Sequence, residues 1–165
     1  MICDDGRAVI ASAKEVAMMP TQTPPSAPPV LLYDGVCGVC NAAVRTILRY
    51  DHRGTLRFAA LDSDFARETI SRHPELVGLD TAVFVRHPEE PGEAVYARSS
   101  ALLQVAAYLG GWWRLALAAY VIPPAVRDWL YGRFAAVRYR VGRRYDTCPI
   151  PTADVRSRFL DASYG

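Results

Sequence analysis

Lysine is almost absent from this chain: Lys14 stands alone against eighteen arginines in 165 residues, with a net charge of +2. The arginines gather towards the end. From Ala125 onward eight arginines face four aspartates, a local balance of +4. No nucleic-acid motif accompanies them, so a solvated helix face is the expected reading and no nucleic-acid partner is expected. Cysteine is scarce too, and four in this length do not make the disulfide scaffold of a small secreted domain. Asp4 and Asp5 stand near the start with no apolar stretch behind them, so no secretory signal is read and the expected setting is cytoplasmic and reducing. The three histidines, His52, His73 and His87, are scattered, and the last two each precede a proline, which suits turns better than metal ligands.

A clean membrane span is missing as well. Residues 101 to 126 carry only Gln104 and Arg114 as strongly polar groups and are long enough to cross a bilayer. Gly110-Gly111 and Pro123-Pro124 break that stretch, and Arg114 near its centre would cost about 3 kcal/mol or more. Two packed helices joined at Gly110-Gly111 are expected instead. Weak association of 101–126 with a membrane surface fits Trp112, Trp113 and Arg114, which favour interfaces.

What is present is Cys37-Gly38-Val39-Cys40. It lies where the apolar run Val30-Leu31-Leu32-Tyr33 turns through Asp34-Gly35 into a helical pattern reaching Tyr50. Such a turn puts the first sulfur at a helix N-terminus, where unpaired N–H groups and the helix dipole favour a thiolate. Cys40, Val44, Ile47 and Leu48 follow helical spacing, which predicts Cys40 on the buried stripe and Cys37 as the more exposed thiol. The arrangement reads as a redox dithiol. A zinc site needs further ligands, for which Cys3, Cys148 and the scattered histidines are the remaining candidates, none in ligand spacing, and a static disulfide closing so short a loop stabilises little. Asp34 suits two roles, tuning the thiols or accepting N–H bonds in the Asp-Gly turn.

Residues 1 to 29 read as a flexible, Pro-rich N-terminal extension and residues 30 to 165 as the folded domain with a C-terminal helical extension. Cys3 falls in the extension and is given no role. A second strand is expected over 56–61, a helix from Asp64 to Arg72, a strand over 81–86, a polar turn over 88–92 and a strand over 94–97. A long helix should follow from Ala101, with Ser99 and Ser100 as its caps. Beyond Pro124 the stripe Val126, Trp129, Leu130, Phe134 and Val137 predicts a helix packing its apolar side onto the domain.

The run Tyr33 to Asn41 resembles the opening signature of the DCC family of thiol-disulfide oxidoreductase-like proteins, named for its D-G-x-C-x-x-C pattern. Further matches follow in order at Phe58 to Leu61, Arg98 to Leu102, Leu109 to Trp112, Ile122-Pro123, Arg127-Asp128, Tyr131 and Cys148 to Thr152. The resemblance implies an α/β, thioredoxin-like βαβαββα core with additional C-terminal helices, and thiol-disulfide exchange. The order of elements read from the chain fits that core. One departure stands out: thioredoxin-like proteins usually carry a cis-proline just before the third strand, and here Leu79-Asp80-Thr81 has none. Asp80 or Thr81 should then stand near the sulfurs, with Asp80 disfavouring the thiolate.

The expected chemistry has Cys37 attack a disulfide of a protein or small molecule and Cys40 resolve the mixed disulfide, with electrons from a separate reductant and no metal or organic cofactor. A redox-sensing or partner-binding module without turnover is the alternative, and a metal-binding module a third reading. Cys148 is expected as a buried anchor rather than a third redox thiol.

Overall fold

The computed structural model describes residues 27–141 and 153–160. Val30–Tyr33 forms β1, and all four residues are buried, as befits a strand covered on both faces. Chain order continues with α1 (Gly38–Tyr50), β2 (Arg57–Ala60), α2 (Asp64–Arg72), a short 3-10 turn (Pro74–Leu76), β3 (Val83–Arg86) and β4 (Ala94–Ala97). Then come α3 (Arg98–Leu109), a 3-10 segment (Gly111–Val121), α4 (Pro124–Val141) and the single turn α5 (Ala153–Arg156). The sheet order is β2-β1-β3-β4, with β1 parallel to β2 and both other pairings antiparallel. This is the thioredoxin-like arrangement.

Alternation along β1 builds two cores. Leu31 and Tyr33 join Val44 and Ile47 of α1, Phe58, Phe84, and Ala101 and Val105 of α3. Val30 and Leu32 join Ala59, Ala66 of α2, Leu76, Val83 and Val85 on the other face. Ser63 caps α2 by accepting from Ala66 N at 3.1 Å. Pro29 extends the pairing of β1 with β2, its carbonyl accepting from Arg57 N at 2.9 Å. Residues 1 to 26, with Cys3, lie outside the described residues, as does Cys148.

The C-terminal segment closes the β2 edge. Phe58 N–H donates to Arg158 O at 2.8 Å, and Leu160 N–H donates to Phe58 O at 2.9 Å. Phe159 stacks on Phe58 with ring centroids 5.2 Å apart and meets Tyr33 edge-on. Arg158 reaches the buried Asp51 carboxylate and donates to Leu56 O at 3.0 Å. The Tyr108 hydroxyl of α3 donates to the same carboxylate at 3.0 Å and accepts from Leu56 N at 2.9 Å.

Three expectations are corrected. Ser99 and Ser100 do not cap α3: the helix begins at Arg98, Ala97 is its N-cap without a side-chain bond, and Ser99 Oγ instead donates to Asp128 of α4. Arg98 adopts φ 56°, so β4 passes straight into the helix and leaves no room for a capping turn. Gly110, at φ 70°, does end α3, but a 3-10 segment follows it rather than a second α-helix, with Trp112 and Trp113 stacked on each other beside Tyr50.

The third correction is the largest. On α4 the apolar stripe faces outward, with Trp129 63% exposed, while Arg127 and Arg138 are only 8% and 3% exposed. The surface α4 covers is polar. Ser99, Thr81, Asp34 and Asp80 all find partners on it, so the helix turns its hydrogen-bonding side inward. Among the described residues no helix is long and apolar enough to cross a membrane.

Phe159→Ala should cost about 2 kcal/mol, less than the roughly 3–5 for a fully buried ring, because this ring is partly exposed. Leu115→Ala, at a side chain 78% exposed, should stay within about 0.5 kcal/mol. Urea denaturation compares the two.

Candidate active site

The end of β1 is shaped by one carboxylate. Asp34 Oδ1 accepts from Val36 N at 3.0 Å and from Cys37 N at 3.2 Å, closing the turn that starts α1. Asn41 braces the turn from within the helix. Its amide donates to Gly35 O at 2.7 Å and to Cys37 O at 3.1 Å.

Cys37 is the N-cap of α1, in extended backbone at φ −81° and ψ 116°. Its sulfur accepts the Cys40 N–H at 3.4 Å, in the role a serine or aspartate oxygen usually plays. Both thiols are free in this structure.

Their exposures reverse the sequence reading. Cys37 is 0% exposed and Cys40 is half-buried, against the core of Leu31, Tyr33 and Val44. The buried stripe of α1 runs through Asn41, Val44 and Ile47, and Cys37 falls four residues before Asn41 on the same side. Asn41 sets that phase because its amide is consumed by the turn. A polar residue carried no apolar signal.

Burial pushes the Cys40 thiol up to about 12, helped by its hydrogen bond with Cys37, by charge on Cys37 and by Asp34, while Arg138 pulls the other way. Cys40 is therefore protonated at neutral pH. The two thiols of one motif are held unlike.

Arg138 is the residue that sequence reasoning missed. It comes from α4, where it reads as one more member of a basic run. Its Nη2 lies 3.3 Å from Asp34 Oδ2 and 2.7 Å from Asp80 Oδ2, and its Nη1 donates to Asp80 O at 3.1 Å. One buried guanidinium thus joins Asp34, whose other oxygen holds the Cys37 turn, to Asp80 of the loop ahead of β3. Asp80 does not stand as an uncompensated charge, because Arg138 offsets it. Thr81, beside it, is buried and donates to the Tyr131 hydroxyl of α4 at 2.8 Å. Among the described residues no group of three or more metal-ligating side chains is placed to hold an ion, and Cys148 lies outside them.

The family model for the DCC1-like thiol-disulfide oxidoreductases matches residues 31–144. The chain belongs to this family. It is 35% identical over 136 residues to the uncharacterized protein YuxK of Bacillus subtilis (strain 168), covering 79% of this chain and 93% of that one. It is 30% identical over 124 residues to the DCC family protein At1g52590, chloroplastic, of Arabidopsis thaliana, covering 74% of this chain and 69% of that one. No solved structure matches it. Both thiols, both aspartates and Arg138 of this DCC1-like chain fall inside the span that the family model covers.

In the Cys37→Ser variant, alkylation of Cys40 by iodoacetamide should still be climbing at pH 9, about tenfold per unit, because burial is the largest cause of its high value and survives the substitution. A rate that levels off near pH 8 would contradict this.

Proposed function

We propose that the protein exchanges thiols and disulfides through Cys37 and Cys40. The observation that carries the reading is the capping geometry: the Cys37 sulfur receives an N–H at the start of α1 while Cys40 keeps its proton. Cys37 thiolate attacks a disulfide of a protein or small molecule, forming a mixed disulfide and expelling one substrate sulfur. Cys40 then attacks the Cys37 sulfur, its proton passes to a departing substrate thiolate, and Cys37–Cys40 is left oxidised. Two electrons have moved to the substrate, and a separate dithiol reductant returns them. In the reducing cytoplasmic setting we assume, the pair rests as dithiol. No metal or organic cofactor enters these steps. The unit carrying this chemistry is taken as residues 30–165, with 1–29 as an appendage.

A second reading is favoured by the full burial of Cys37. A thiol with no exposed surface suits a redox sensor, in which oxidation of the pair alters a partner-binding face without turnover. Multiple turnovers with a disulfide substrate and a recycling reductant separate the two readings: exchange requires them and the sensor gives none.

Surface association belongs to the same proposal. Trp112, Leu115, Val121 and Ile122 are exposed alongside the outward stripe of α4. Asp128 is the one acid between residues 111 and 141, and it is turned inward to Ser99. Arg114, Arg133 and exposed aromatic rings, with no outward acid among the described residues 111–141, complement an anionic lipid surface and disfavour a second copy.

Two outcomes are expected. Cys40→Ser should accumulate mixed disulfides with cellular partners and Cys37→Ser few, on non-reducing gels; equal trapping by both would sink the directional mechanism. The protein should cosediment with vesicles containing phosphatidylglycerol, more than with phosphatidylcholine alone, and Trp112→Ser with Trp129→Ser should release it. A dimer in solution with no vesicle binding would replace the bilayer by a second copy.

A further inference from the structure

Arg138 poses a problem that the exchange reading leaves open. A guanidinium 3% exposed has given up its hydration, and such a group persists only where carboxylates and carbonyls replace the water. Here the replacements are Asp34, whose other oxygen fixes the Cys37 N–H, and Asp80, from the loop ahead of β3. Asp34 is the acidic group beside the thiols, and Asp80 shares its cation. A basic residue needed only to pin α4 could have met any acid on the domain. This one meets Asp34, whose charge opposes a thiolate, together with Asp80.

We propose that Arg138 is the counter-ion of the dithiol, a positioning residue that offsets Asp34 and Asp80 so that a thiolate can form beside them. The inference rests on the Cys37/Cys40 reading. Among the groups acting on the Cys40 thiol, Arg138 is the one that favours its ionised form, against burial, Cys37 and Asp34. Among the described residues, Asp34 from the β1–α1 turn and Arg138 from α4 act on the pair, with Asp80 from the loop on the same guanidinium and Tyr131 bonded to Thr81 beside it. Asp34 opposes a thiolate here and the Arg138 cation favours it, so removing that cation leaves the Asp34 carboxylate acting against the thiolate.

The same geometry ties the chemistry to α4. The helix cannot leave the domain without taking the counter-ion with it, so a partner that lifts α4 also turns down the thiolate.

The test is the pH dependence of iodoacetamide alkylation of the reduced full chain, with thiolate absorbance followed in parallel. Arg138→Gln should move the profile of the pair to higher pH by about one unit, roughly a tenfold loss of rate near neutrality. Arg138→Lys should recover most of it, and Arg138→Gln combined with Asp80→Asn should recover much of it by removing one of the opposing charges. A merely structural arginine predicts otherwise: a lower melting temperature in all three, worst in the double variant, with an unmoved profile. Should Arg138→Gln fail to fold, Asp80→Asn alone decides, since it removes one carboxylate competing for the Arg138 cation and should move the profile to lower pH. A profile unmoved by both Arg138→Gln and Asp80→Asn overturns the proposal, as does an unmoved Asp80→Asn profile where Arg138→Gln does not fold. Failure of the parent protein to turn over a disulfide would defeat the exchange reading yet leave these profiles to be read.

Discussion

A buried guanidinium has to be paired, and much of this molecule follows from where Arg138 finds its partners. Leaving such a charge uncompensated costs about 3–5 kcal/mol, comparable to a large share of the stability of a small domain. Asp34 and Asp80 supply the compensation from two different loops at the same end of the sheet. Because they sit there, α4 must present its polar side to the domain. Tyr131 and Asp128 then meet Thr81 and Ser99, and the apolar stripe is left facing out. One electrostatic requirement thus fixes the orientation of an 18-residue helix.

The asymmetry of the two thiols has a simpler origin, in helix geometry. A residue at the N-cap stands beyond the first turn and can take an N–H onto its side chain, whereas a residue three places later is inside the ladder. Cys37 holds the first position and Cys40 the second. Asp34 and Asn41 keep the turn from relaxing, one with backbone N–H groups and the other with carbonyls. The capping that sets Cys37 apart is built by local bonds within eight residues, and burial against the core adds the rest of the distinction at Cys40.

That locality explains what could be read from the chain in advance. The limits of α1, α2 and β4 were legible because each is set by neighbours: an Asp-Gly turn, a serine cap, a His-Pro stop. The phase of α1 was misread because Asn41 is buried for its hydrogen bonds, and apolar periodicity does not register amides. The helical period of α4 was legible as well, but not which side would be inward, since that depends on Asp34, 104 residues away. Arg138 carried no signal of its own among eighteen arginines. Ser99 misled for a related reason: a serine ahead of a helix resembles a cap unless its partner, 29 residues on, is known.

The last described turn of the chain lies against one of its first strands: Phe159 pairs with Phe58, and Arg158 reaches Asp51 across 107 positions. On a ribosome the dithiol turn emerges well before its counter-ion, 104 residues further on, and before the flank of β2. Closing such distant contacts is slow, and β2 offers an open edge to any neighbouring strand in the meantime. The nascent protein thus passes through a period with its sulfurs formed into their turn but electrostatically unfinished.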